Sequence, residues 1–228
     1  MTRYTFVFGV AAALSVTTAH AADAPFFKMS GEASLATAGI SKGITETDWN
    51  PQGLVGARLT HGWFYAGARV KSVRTPEGGD GQFETYVGAD GKAGGFDLSL
   101  QAIRKQVDNT RPGTDNVFME YQGSIGRTFD KTTLKLIGIW SPDAYGKTRQ
   151  ASWTEVNLAQ KLSPKWTISG GAGHRVTSPK KDYTGWNAGV TYALLPKTSL
   201  DLRWYDTDAH DLGLKYRGHA VLKISQKF

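Results

Sequence analysis

Residues 218–228 read GHAVLKISQKF. One parity of this stretch carries Ala220, Leu222, Ile224, Gln226 and Phe228; the other carries Val221, Lys223, Ser225 and Lys227. A period of two, apolar on one face and largely polar on the other, marks a β-strand whose faces meet different surroundings. Soluble sheets seldom end inside a strand with an aromatic last residue on the apolar face. The rest of the chain decides what that face meets.

Eleven further segments alternate in the same way: 28–36, 52–60, 63–73, 83–91, 96–104, 117–126, 132–141, 152–162, 166–176, 184–193 and 198–205. In 96–104, for example, Phe96, Leu98, Leu100 and Ala102 oppose Asp97, Ser99 and Gln101. The segment 132–141 is the least clean, because Ile137 and Ile139 share parity with Lys135. Twelve strands of ~9–11 residues have the length a tilted membrane strand needs. Their connections alternate. Long loops rich in Gly, Asp, Asn and Thr fall at 39–51, 75–81, 106–116, 142–151, 177–182 and 206–217, with short turns between them. Outer-membrane barrels have this long–short alternation and an even strand count. The expected fold is all-β: a transmembrane antiparallel up-and-down β-barrel of about 12 strands with both termini periplasmic. Phe64, Phe96, Trp166, Tyr192 and Phe228 fall at short-turn ends on the apolar parity, and Phe83, Trp140, Trp186 and Trp204 nearer the long-loop ends. Two aromatic girdles about a membrane thickness apart produce this placement. In such barrels the terminal aromatic, here Phe228, is part of the signal read by the assembly machinery.

The other end of the chain supplies the route. Arg3 precedes an apolar run at 5–17, and Ala19-His20-Ala21 fits the small-x-small rule of signal peptidase. Residues 1–21 are expected to be a secretory signal peptide, too short in its apolar run for a spanning helix, and 22–228 the barrel. The chain has no cysteine, which excludes disulfides and thiolate metal sites. The net charge is +7, or +6 without Arg3. In an exported chain that excess points to a basic pore lining or to lipopolysaccharide rather than to nucleic acid. The mean hydropathy of −0.35 is compatible with a barrel whose lumen is polar.

Residues 34–73 resemble the TorF-type putative porins, a family of bacterial outer-membrane barrels. The likeness rests on Lys42-Gly43-Ile44-Thr45-Glu46-Thr47, on Pro51, on Gly62-Trp63-Phe64-Tyr65-Ala66-Gly67 and on Glu84-Thr85-Tyr86-Val87-Gly88. The family's Arg is Lys42 here, and its Tyr-rich segment before the third long loop is replaced by LQAIRKQ at 100–106. The resemblance implies an outer-membrane barrel and leaves the solute open.

On the polar parity, Arg58, Arg69, Lys71, Lys135, Arg175, Arg203 and Lys223 face Glu32, Glu84, Asp97, Glu120, Glu155 and Asp201. Such rows either staple a narrow barrel shut or set up a field that selects solutes by charge. The expected function is a porin-like channel for passive diffusion of small solutes with mild anion preference, located in the outer membrane of a Gram-negative bacterium. The alternatives are a non-conducting barrel serving as a surface receptor or structural protein, and a lipid-acting hydrolase. For the last, no His has a Ser two residues on, and His174 with Thr177 and Ser178 is the best candidate. The acidic run DTDAHD at 206–211 lacks the glycine and distal Glu of a calcium loop. No catalytic residue, metal ligand or cofactor is therefore assigned. The expected partners are outer-membrane lipid and lipopolysaccharide, the barrel-assembly machinery and periplasmic chaperones during biogenesis, and small solutes.

Overall fold

The computed structural model describes residues 26–228. The signal-peptide assignment to 1–21 lies outside the described residues. The chain forms β1 (Lys28–Ala36), a small hairpin of β2 (Ile40–Ser41) and β3 (Ile44–Thr45), then β4 (Gln52–His61), β5 (Phe64–Ser72), β6 (Gly81–Ala93), β7 (Phe96–Asp108) and β8 (Val117–Phe129). It continues through β9 (Thr132–Ala144), β10 (Arg149–Lys161), β11 (Trp166–Thr177), β12 (Tyr183–Leu195), β13 (Thr198–Thr207) and β14 (His219–Lys227). β1 and β4–β14 close into an antiparallel barrel of twelve strands in which β14 returns to β1. Among the described residues no helix is long and apolar enough to cross a membrane.

The period-two pattern is what closure demands. Met29, Leu35, Phe64, Val70, Val87, Leu100, Trp140, Val156, Trp204 and Leu222 all point outward and are exposed, while the opposite parity faces in. A closed sheet also leaves no unpaired backbone edge, which an apolar exterior requires. Both aromatic rows lie on this outer face, from Phe64, Phe96, Trp166 and Phe228 to Phe83, Trp140, Trp186 and Trp204. At ~3.3 Å per residue and a tilt of ~40°, a thirteen-residue strand such as β6 rises roughly 30 Å.

The structure corrects several expected boundaries. β6 to β10 and β12 are longer than the alternating cores suggest, because pairing continues past the apolar belt. β9 runs through Pro142, where a register shift opposite residues 149–151 tolerates a residue with no N–H to donate. β7 runs to Asp108, so Lys105, beyond the expected strand end at 104, and residues 106–108, expected in the third loop, belong to the wall.

Candidate functional site

The loop after β1, residues 37–51, turns into the barrel. Its tip, Lys42-Gly43, has φ of 52° and 82°, the paired positive values that a two-residue hairpin turn needs. Ile40 pairs with Thr45 and Ser41 with Ile44 across that turn. The base is held by Thr47, whose hydroxyl accepts from Gly39 N–H (2.9 Å) and donates to the Asn50 carbonyl (2.6 Å).

The hairpin reaches the far wall. Lys42 Nζ lies 2.5 Å from Glu120 on β8, and its carbonyl accepts from the Tyr183 hydroxyl on β12 (2.7 Å). A Cβ built on Gly43 would stand in ordinary contact with the Gly185 backbone on β12 (3.4 Å), so it is the φ of 82°, and not lack of room, that favours glycine there. Ile44 packs on Trp153, Tyr183, Ala209 and Tyr216 together with Ile139 of β9. The same cluster accounts for Ile139 on the inward face of β9: an apolar side chain there packs on the buried aromatics that the hairpin also meets. Above the hairpin, Trp49 stacks on His219 (4.2 Å between centroids) and donates to the Leu214 carbonyl (3.3 Å) in the last loop.

A chain of ion pairs ties this hairpin to four adjacent strands. Arg69 on β5 is 2.5 Å from Glu84 on β6. Lys71 bridges Glu84 (3.6 Å) and Glu46 of the loop (2.7 Å). Lys105 on β7 bridges Glu84 (3.7 Å) and Glu120 (2.7 Å), and Lys42 completes the row at Glu120. Glu84 is fully buried and Glu120 nearly so. Every carboxylate in the row thus has at least one cation against it, as buried charge requires.

The opposite wall is organised by Arg203 on β13. Its guanidinium contacts Asp201 (3.1 Å), Asn187 Oδ1 (2.6 Å) and Ser169 Oγ (2.6 Å), spanning β11 to β13. Between this wall and the hairpin lies a cavity of about 420 Å³ lined by Lys42, Lys135, Glu155, Asn157, Arg203 and Tyr205, among others.

All thirteen charged residues singled out in the sequence occupy the inward parity of their strands. The structure divides them into two groups. Arg58 pairs with Asp90 (2.7 Å), Asp97 with Lys92 (2.8 Å) and Asp201 with Arg203; Arg69, Lys71, Glu84 and Glu120 belong to the buried row. Among the described residues Glu32, Lys135, Glu155, Arg175 and Lys223 make no ion pair, and Glu155 accepts instead from Trp153 Nε1 (2.8 Å). Sequence reasoning missed Lys42, Glu46 and Lys105 as lumen groups. The signal for Lys105 was its parity with Asp97, Ser99 and Gln101; for the hairpin it was a Lys-Gly pair between Ile-Ser and Ile-Thr. His174 points outward from β11 and its ring contacts the Thr184 hydroxyl (3.1 Å). Phe228 extends the seam beyond β14, exchanging both backbone hydrogen bonds with Gly31 (2.8 and 3.1 Å).

The fold is that of solved outer-membrane porins. The KdgM porin superposes with a TM-score of 0.58 at 9% identity, covering 87% of this chain and 98% of that one. KdgM has also been solved in complex with disordered oligogalacturonate (TM-score 0.55, 8% identity, 88% and 97% covered). The NanC porin gives 0.56 at 9%, covering 88% and 99%. The COG4313 outer membrane channel from Pseudomonas putida F1 gives 0.53 at 11%, covering 93% and 100%. A sequence search among curated proteins finds no match. The twelve-stranded barrel with its apolar exterior is an outer-membrane barrel. The sequence match is to a different family name from the TorF-type porins: a profile described as bacterial protein of unknown function (Gcw_chp) covers residues 19–226, and the chain belongs to that family.

Proposed function

We propose that the protein is an outer-membrane channel for passive diffusion of small solutes, narrowed by its first loop and mildly selective for anions. The observation that carries this reading is the charged cavity left between the hairpin tip and the β9–β13 wall. A barrel serving only as a scaffold has no need of a polar cavity beside its plug. Lys135 lines that cavity with Glu155, and over the lumen as a whole the unpaired Lys135, Arg175 and Lys223 outnumber the unpaired Glu32 and Glu155. A lumen with an excess of unpaired cations favours anions. The KdgM complex makes acidic saccharides a sensible first solute class to try.

The test is single-channel recording of the refolded barrel in a planar bilayer under a salt gradient. Discrete steps with an anion-selective reversal potential are expected. Cation selectivity overturns the charge argument. A folded barrel without steps favours the second reading, a closed barrel acting through its loops, which the ion-paired hairpin across the lumen supports.

A further inference from the structure

Arg127 stands on the outward parity of β8 and is exposed. A cation on the lipid face is costly at the midplane and nearly free near an interface, so its depth matters. It lies two residues before the end of β8, beside the short turn at 130–131, which puts it at headgroup level on the periplasmic side. Its guanidinium carbon is 5.1 Å from the ring centre of the girdle aromatic Phe96 and 4.8 Å from that of the exposed Phe129. Among the described residues it has no carboxylate partner within ion-pair distance. An exposed fork of donors packed on two aromatic rings, without a carboxylate partner, suits a phosphate.

The same wall carries an independent feature. An apolar hollow of about 860 Å³ opens on the outer face, with Ala89, Ala102 and Gly123 in its floor and Phe64, Leu100 and Tyr121 at its sides. Gly138 of β9 lies opposite Gly123 and extends the low ground, since a Cβ there would meet nothing within 4 Å. Gly123 is four residues up β8 from Arg127 on the same face, or roughly 13 Å at ~3.3 Å per residue. The cation and the hollow therefore stand on one strand, at headgroup and acyl-chain depth.

We propose that this outer wall binds an anionic phospholipid of the periplasmic leaflet, its phosphate on Arg127 and one acyl chain in the hollow. Lys131, on the adjoining turn, adds a second exposed cation near the headgroup, and with the exposed Asp130 beside it the rim stays net basic by one charge. A phosphatidylethanolamine ammonium meets that basic rim unfavourably, whereas phosphatidylglycerol does not. Small residues on a lipid face otherwise forfeit packing that a seated chain restores.

Native mass spectrometry of the full barrel in detergent tests this, with phosphatidylglycerol or phosphatidylethanolamine of matched chains. Wild type should retain phosphatidylglycerol several-fold more. Arg127→Gln should lower it to the phosphatidylethanolamine level, and Arg127→Lys should keep part of the preference. Gly123→Leu, which fills the hollow, should reduce retention of both lipids. Heat-modifiable mobility confirms that each variant is folded; should Arg127→Gln not fold, Gly123→Leu carries the test. Equal retention of the two lipids by wild type overturns the proposal. So does a Gly123→Leu barrel that holds lipid as wild type does. Displacement by millimolar inorganic phosphate overturns it too, by making Arg127 an anion site without a lipid.

Discussion

Glu120 is the residue on which the docking of the hairpin turns. It faces two ammonium groups, Lys42 from the hairpin and Lys105 from β7. Glu120→Gln leaves Lys42 without a counter-charge and Lys105 with only the more distant Glu84 (3.7 Å), and removing one partner of a buried set costs on the order of 3 kcal/mol. Lys42→Met leaves Glu120 still paired with Lys105 and should cost far less. Urea unfolding in detergent separates the two, and equal losses would mean that the row does not act as described. Lys42 also has a pH signature, and it lies in the loop, outside the spanning strands. Burial pulls its ammonium down to about 8, against the opposing pull of Glu120, with Lys105 and Arg175 adding to the lowering. The released hairpin then binds more protons than the docked one between about 8 and the ordinary lysine value of 10.5. Docking is therefore favoured as pH rises through that window, while the lumen loses one positive charge. Reversal potentials recorded at pH 7 and pH 9.5 should show anion preference falling in wild type and unchanged in Lys42→Met. Parity alone placed Glu84, Glu120 and Arg69 inside. Parity does not say which charges touch, because partners such as Lys42 arrive from a loop that no period describes.

At the scale of elements, the strands were legible because each is a long run with one face in lipid, and β1 matches its expected span. The hairpin of β2 and β3 was not, since two-residue strands carry no periodic signal. Its only local marks are the Lys-Gly turn and the Ile residues that flank it, one of which packs on the inner wall. The irregular parity of β9 has its cause in the same place, because Ile139 packs on the buried cluster that receives Ile44. Replacing residues 40–45 by a Gly-Ser segment of equal length removes Lys42 and Ile44 together while leaving Thr47 and Asn50 to close the loop base. Larger unitary conductance and faster uptake of bulkier solutes in liposome swelling are expected, with the barrel still heat-modifiable. Unchanged conductance would place the narrowing elsewhere, at the Arg203 wall or at the last loop.

The whole molecule is a ring of hairpins closed by one seam between strands far apart in sequence. Hairpin pairs form locally: β6 and β7 pair along their full length, from Gly81↔Asp108 to Ala93↔Phe96. The seam of β1 with β14 is much shorter, from Glu32↔Lys227 to Ala36↔Lys223, and its closure must overcome the entropy of joining the two ends of the barrel. Phe228 lengthens it. Its backbone continues the ladder at Gly31, and its ring covers that glycine so closely that a Cβ at position 31 would overlap the ring. An aromatic laid over a cross-strand glycine is a known device for pinning a register. Phe228→Ala should thus loosen the seam by about 1 kcal/mol or less in the folded barrel, yet slow closure because the seam forms last. Hydrogen exchange should quicken at β1 and β14 amides and stay unchanged in β6 and β7. The heat-modifiable fraction in the outer membrane should fall. Uniformly faster exchange around the ring would mean that the barrel opens as a unit and that Phe228 does not pin the seam.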